Sequence, residues 1–178
     1  MRRFGLIGRP LGHSASAAYF TEKFNREGIN DCEYSLYELG AIGDLPGLLE
    51  RLPELCGLNV TIPYKKAVMP LLDEISPEAA AIGSVNTIVN RAGKLTGYNT
   101  DAFGFSWMLR KSGVEVAGKK ALVFGSGGAS VTVCHVLKSL GADPVVVISR
   151  SGENNYENLD RHTDAKILVN ATPLGMYP

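Results

Sequence analysis

Short runs of β-branched and aromatic residues alternate with stretches of helical periodicity along the whole chain, which restricts it to an α/β fold with a mainly parallel sheet. Strands are expected at 3–7, 32–38, 57–62, 86–90 and 94–98, the last two forming a hairpin that turns through Arg91-Ala92-Gly93. Phe20 and Phe24, four apart, fit a helix over 16–27, and Leu45, Leu48, Leu49 and Leu52 fit a second. From Asp101 onward, Ala102, Phe105, Met108 and Leu109 recur on one helical face until Ser112-Gly113 supplies a stop. That helix is expected to join two domains, 1–101 and 102–178. Beyond it, a strand at 120–124, a helix at 129–140 and a strand at 144–148 make a βαβ unit. The helix is expected to bury Ala129, Val133, Val136, Leu137 and Leu140. Residues 151–164 are polar and aperiodic, a loop or short surface helix, and a last strand is expected at 166–170.

Composition narrows the function classes. With 178 residues, 45% of them hydrophobic, the chain can bury a core in one large domain or two small ones. Eighteen Lys and Arg balance eighteen Asp and Glu, with no basic run, so the electrostatic footprint of a nucleic-acid binder is missing. The apolar start breaks at Gly8-Arg9-Pro10, too early for a signal peptide, and no membrane-length apolar run follows. A soluble, cytoplasmic protein without nucleic-acid or membrane partners is expected. Cys32, Cys56 and Cys134 are odd in number and lack CxxC spacing, so neither a disulfide framework nor a metal site is expected, and they read as inert packing residues. His135 lies in a helical pattern and reads as structural or surface.

Three polar segments fall where strands give way to loops: Asn59-Val-Thr61-Ile-Pro-Tyr-Lys65, Ser84-Val-Asn86-Thr87 and Tyr98-Asn99-Thr-Asp101. Singly, each has a plain structural reading. Lys65-Lys66 suits a solvated helix start, Asp101 a helix cap, and Asn86 and Asn99 turns. Together they suit a small, heavily oxygenated substrate undergoing proton transfer. Amides and hydroxyls read ligand OH groups, while a lysine and an aspartate share a mobile proton. Gly12-His13-Ser14-Ala15-Ser16, after the first strand and before a helix, places two serines to cap that helix or to hold a carboxylate at its positive end; the two roles are compatible.

Gly125-Ser126-Gly127-Gly128-Ala129-Ser130 follows a strand and opens a helix, where glycines admit a pyrophosphate to the backbone and the helix N-terminus stabilises its charge. A tight βα turn without a ligand is the alternative. The next strand ends in Ser149-Arg150-Ser151, where an NAD-preferring site carries a carboxylate. A guanidinium and two hydroxyls suit a 2′-phosphate, so NADP is the expected cofactor and an ordinary surface arginine the alternative.

These segments, in this order, closely resemble shikimate dehydrogenases. The resemblance rests on Phe4-Gly-Leu-Ile-Gly8, His13-Ser-Ala-Ser16, Asn59 to Lys65, Gly83-Ser-Val-Asn-Thr87, Tyr98 to Asp101, Gly125 to Ser130 and Asn170-Ala-Thr-Pro-Leu-Gly-Met176. It implies an N-terminal substrate-binding α/β domain, 1–101, followed by a Rossmann-type NADP-binding domain, 102–178, incomplete at its C-terminus. It further implies NADPH-dependent, reversible reduction of 3-dehydroshikimate to shikimate in aromatic amino-acid biosynthesis. Ser14 and Ser16 would hold the carboxylate, Thr61, Asn86 and Asp101 the ring hydroxyls, and Lys65 with Asp101 would be the catalytic pair. Gly125, Ser126, Gly127, Gly128 and Ala129 would cradle the cofactor phosphates, with Ser149, Arg150 and Ser151 around the 2′-phosphate. Homodimers are compatible with this.

The chain departs from the family pattern at Ala15, Ala17 and Ser149-Arg-Ser151, changes that keep the hydrogen-bonding groups. Family chains also continue past the Asn170 segment into more cofactor sheet and a final helix. Dual use of quinate and shikimate is the nearest alternative. A ligand-sensing relative without turnover is a second, opposed by retention of Lys65 and Asp101. A folate-linked dehydrogenase is a third, which would not need the serine-plus-amide pocket.

Overall fold

The computed structural model describes residues 1–175; the last residue of the Asn170 segment, Met176, and the end of the chain at Pro178 lie outside them. Among the described residues the chain forms nine strands and six α-helices in two compact units. The first comprises Met1–Ala80 and Ser84–Asn99, the second Ala81–Gly83 and Thr100–Pro178.

In the first unit, β1 (Arg2–Gly8), β2 (Cys32–Glu38) and β3 (Leu55–Val60) run parallel. β5 (Thr87–Arg91) then runs antiparallel to β3, β6 (Lys94–Tyr98) antiparallel to β5, and the two-residue β4 (Glu74–Ile75) parallel to β6. The strand order is β2-β1-β3-β5-β6-β4, so this sheet is mixed rather than mainly parallel. The hairpin accounts for the difference. Its two-residue turn places Ala92 at φ 52° and Gly93 at φ 89°, as a primed turn demands, and the Asn90 side chain accepts the Gly93 N–H at 2.9 Å.

Alternation along the strands divides the side chains between two faces. On one, Leu6 and Tyr34 are buried with Phe20 and Phe24 of α1 (Ser16–Arg26) packed against them. On the other, Ile7, Leu58, Val60 and Ile88 belong to a larger core that takes in Leu45 and Leu48 of α2 (Leu45–Arg51) and Tyr64 of the short α3 (Tyr64–Ala67). Tyr64 is a packing residue whose hydroxyl donates to the Leu39 carbonyl at 2.8 Å. β3 ends two residues before the expected boundary. The β-branched Thr61 and Ile62 prolong its pattern, but the Tyr64 N–H bonds to the Thr61 carbonyl and turns the chain. β4 and α4 (Pro77–Ile82) were not expected from periodicity; both are too short to display it.

The second unit is a three-stranded parallel sheet, β8-β7-β9, from β7 (Ala121–Phe124), β8 (Val145–Ile148) and β9 (Ile167–Asn170). It is packed by α5 (Asp101–Ser112) and α6 (Gly128–Ser139) around Ala102, Leu109, Val123, Val136 and Leu137. Two expected packing residues lie outside this core: Met108 is exposed on α5 and Ala129 in the first turn of α6. Trp107, also exposed on α5, carries the Lys111 ammonium 4.7 Å from its ring centroid. Residues 151–164 are irregular apart from a 3-10 turn at Leu159–His162.

Candidate active site

Register decides which residues meet at the carboxyl end of the first sheet. Leu6 of β1 pairs with Asn59 of β3, Asn59 with Thr87 of β5, and Thr87 with Tyr98 of β6. β5 is antiparallel to β3, so its first residue lies beside the last residues of β3. The loops after β1, β3 and β6 and the approach to β5 therefore share one edge, where open α/β sheets bind ligands.

Main-chain bonds fix that edge. The Thr61 N–H donates to the Ile7 carbonyl at 2.9 Å, and the Val60 N–H to the Asn86 carbonyl at 2.8 Å. The Val85 N–H donates to the Lys65 carbonyl at 2.8 Å and the Asn86 N–H to the Tyr98 carbonyl at 3.0 Å. Thr61, Lys65 and Asn86 are thus tied into one backbone lattice. Closeness here requires glycine: a Cβ on Gly8, at the end of β1, would overlap the Thr61 methyl. Asn86 and Asn99 are buried, and the Asn99 amide donates to the Ser84 carbonyl at 2.9 Å. Asn99 is therefore a bracing residue of the turn, as its plain reading had it.

The serine segment stands on the loop after β1. The Ser14 hydroxyl accepts the Ser16 N–H at 3.3 Å, its own N–H bonds to the Leu11 carbonyl at 2.9 Å, and both serines are half-buried. The Glu38 carboxylate accepts the Leu11 N–H at 2.8 Å and holds the loop to the end of β2. Lys65 is half-buried in α3 and Lys66 exposed. Asp101 belongs to the second unit. It is the first residue of α5, after the capping position at Thr100, where its charge favours the helix dipole.

A polar chain that sequence reasoning missed runs across the α1 face of the first sheet. The Tyr34 hydroxyl donates to Asn59 Oδ1 at 2.8 Å, Asn59 Nδ2 donates to Thr87 Oγ1 at 3.4 Å, and Thr87 Oγ1 donates to Asn86 Oδ1 at 3.0 Å. The Tyr34 ring stacks on Phe20 with centroids 4.4 Å apart. Burial pushes the Tyr34 phenol up to about 12, partly offset by hydrogen bonding from Ser16. A groove of about 400 Å³ on this face is lined by Phe20, Phe24, Tyr34 and Gly57 and includes Asn59 and Thr87. The signal in the sequence was Asn59 itself, a polar residue in an interior strand between Leu58 and Val60, which must find partners.

In the second unit the site is made of main chain. Gly125, at the end of β7, has φ 111°, and a Cβ there would stand 2.9 Å from the Ala171 carbonyl oxygen, so only glycine fits. Gly127, at the N-cap of α6, has φ −80°, and a Cβ there meets nothing within 4 Å. Ser126, Gly127 and Ala129 are exposed and Gly128 half-buried. The first N–H groups of the twelve-residue α6 have no partner within the helix and stand beside open space, as a diphosphate needs. Ser149, Arg150 and Ser151 follow β8 on the neighbouring strand, Ser149 half-buried and the other two exposed. Arg150 has no ion-pair partner among the described residues. A bare guanidinium without a carboxylate beside it fits a phosphorylated ribose better than a free diol. The residues present thus fit NADP.

All three cysteines are unpaired and half-buried, and burial raises the thiols of Cys32 and Cys134. Among the described residues no group of His, Cys, Asp and Glu is arranged to hold a metal, and no helix is long and apolar enough to cross a membrane.

Comparison with known proteins matches residues 6–88 to the shikimate dehydrogenase substrate binding domain. The chain is 38% identical to the NADP(+)-type shikimate dehydrogenase of Symbiobacterium thermophilum over 206 aligned positions, covering 99% of this chain and 68% of that protein. Among solved structures, shikimate dehydrogenase 1 of Peptoclostridium difficile superposes with a TM-score of 0.90 at 40% identity, over all of this chain and 69% of that one. The Thermus thermophilus shikimate 5-dehydrogenase, solved with NADP(H) and shikimate, superposes with a TM-score of 0.83 at 34% identity, over 97% of this chain and 69% of that one.

Proposed function

The chain belongs to the shikimate dehydrogenase family, and from that premise we propose that it interconverts 3-dehydroshikimate and shikimate with NADP as cofactor. It is then an oxidoreductase acting on a CH–OH group in the route to aromatic amino acids. The observation that carries this reading is the lattice tying Thr61, Lys65 and Asn86 to one sheet edge. An ammonium, an amide and a hydroxyl at one edge match a polyhydroxylated ring with one reacting oxygen. Residues 1–101 serve as the substrate-binding domain and 102–178 as the NADP-binding domain.

Ser14 and Ser16 hold the substrate carboxylate, and Thr61, Asn86 and Asp101 hold ring hydroxyls. NADPH, when bound, would supply a hydride to the carbonyl carbon. Lys65 delivers a proton to the carbonyl oxygen as its negative charge develops, and Asp101 orients the exchange; oxidation runs the same proton back to Lys65. Proton placement of this kind contributes roughly 10²–10⁴-fold to rate. Gly125 through Ala129 offer N–H groups to the diphosphate, and Ser149, Arg150 and Ser151 surround the 2′-phosphate. A homodimer and a cytoplasmic location belong to the same reading, the latter supported by three unpaired cysteines, which suit a reducing compartment.

Calorimetric titration with shikimate and NADP separately, followed by NADPH consumption with 3-dehydroshikimate, tests the proposal. Saturable binding of both ligands and consumption that requires the ketone are expected. Failure to bind shikimate would remove the reading.

A further inference from the structure

We propose that Tyr34 is a positioning residue for the substrate site, holding the Asn86 amide in its reading orientation through Asn59 and Thr87. The inference rests on the function proposed above. Each link in the chain has a direction. The Tyr34 hydroxyl donates to Asn59 Oδ1, which turns the Asn59 NH₂ toward Thr87 Oγ1; the Thr87 hydrogen is then left for Asn86 Oδ1. The sense of the Asn86 amide is thereby coupled to a donor three strands away in the sheet. An amide reads a ligand by which of its ends is oxygen, so a network that fixes that choice fixes what Asn86 recognises.

Tyr34 suits the head of such a chain. Its ring is held against Phe20, so the hydroxyl is aimed by packing rather than by the bond it makes. It is 8% exposed, and its phenol titrates near 12, so it remains a donor through the neutral range. Its second polar neighbour is Ser16, at the start of α1. One hydroxyl therefore stands between the proposed carboxylate-holding serine and the proposed hydroxyl-reading amide. Tyr34 itself acts through these neighbours.

The test is shikimate and NADP titration of the wild type, Tyr34→Phe, Thr87→Val and the double variant, with thermal unfolding of each. Tyr34→Phe keeps the ring on Phe20 and removes the head donor; Thr87→Val breaks the middle of the chain without touching that stack. Each single variant is expected to weaken shikimate binding about tenfold and to leave NADP affinity unchanged. The double variant should lose no more than the worse single one, because both cut the same chain. Unchanged shikimate affinity in either single variant, or additive losses in the double variant, would overturn the proposal. Equal losses for shikimate and NADP would do the same, since they would indicate a structural role. Should Tyr34→Phe fail to fold, the affinity of Thr87→Val decides. A wild type that binds shikimate while the variants match it refutes Tyr34 alone, whereas a wild type that does not bind refutes the function itself.

Discussion

The ligand ends of the two units are built from opposite materials. On the function proposed above, recognition in the first is carried by side chains set one by one around a sheet edge: Ser14, Ser16, Thr61, Lys65 and Asn86, each placed by its own backbone bond or turn. In the second it is carried by main chain and by missing side chains, Gly125 because nothing else fits and Gly127 because nothing stands near it. A ring bearing several hydroxyls needs directional donors and acceptors, each different. A diphosphate needs N–H groups, a helix end and room. The first end should therefore fail when a side chain is cut back, the second when a methyl is added.

The largest effect belongs to the first end. Lys65→Ala should lower NADPH consumption with 3-dehydroshikimate by roughly 10²–10⁴-fold while NADP still binds; undiminished turnover would remove the proton-transfer role. Next is the charged contact of the second end. Arg150→Ala should weaken NADP binding about 10–100-fold, as loss of a charge-assisted hydrogen bond implies, without altering NAD binding. An equal loss for both cofactors would place Arg150 away from the 2′-phosphate. Gly125→Ala should lower stability by about 1–3 kcal/mol in thermal unfolding, because the left-handed backbone and the Ala171 carbonyl both oppose a Cβ.

The smallest effect is on the alkaline limb of stability. The Tyr34 phenol is raised in the folded chain to about 12 from an ordinary value of about 10. Its contribution is fully present below pH of about 10 and is lost as pH rises toward about 12. Tyr34→Phe should flatten that part of the stability curve, and an unchanged slope would mean that the phenol is not held neutral.

Much of this was legible in the sequence because local chemistry and tertiary position agree. The strand, glycine turn and helix around Gly125 form one local unit, and Gly127 lies at the cap of α6, as its place in the motif requires. Lys65 and Asn86 were readable as strand-end residues for the same reason. What periodicity did not reveal depended on pairing. Nothing local tells that β5 enters antiparallel to β3, yet that pairing sets Asn59 beside Thr87 and creates the chain from Tyr34 to Asn86. Met108 and Ala129 satisfied the helical spacing of an apolar face and still lie outside the core, since spacing identifies a face without saying how far the packing extends along it.

Gly127→Val tests the contrast between the two ends most directly, because φ −80° and the open space around it leave the fold indifferent to a side chain there while a bound diphosphate would not be. In separate titrations of wild type and variant, the account predicts at most the small fall in unfolding temperature that a poorer N-cap brings, unchanged shikimate affinity and loss of NADP binding by more than about tenfold. A variant that binds NADP as the wild type does would contradict it.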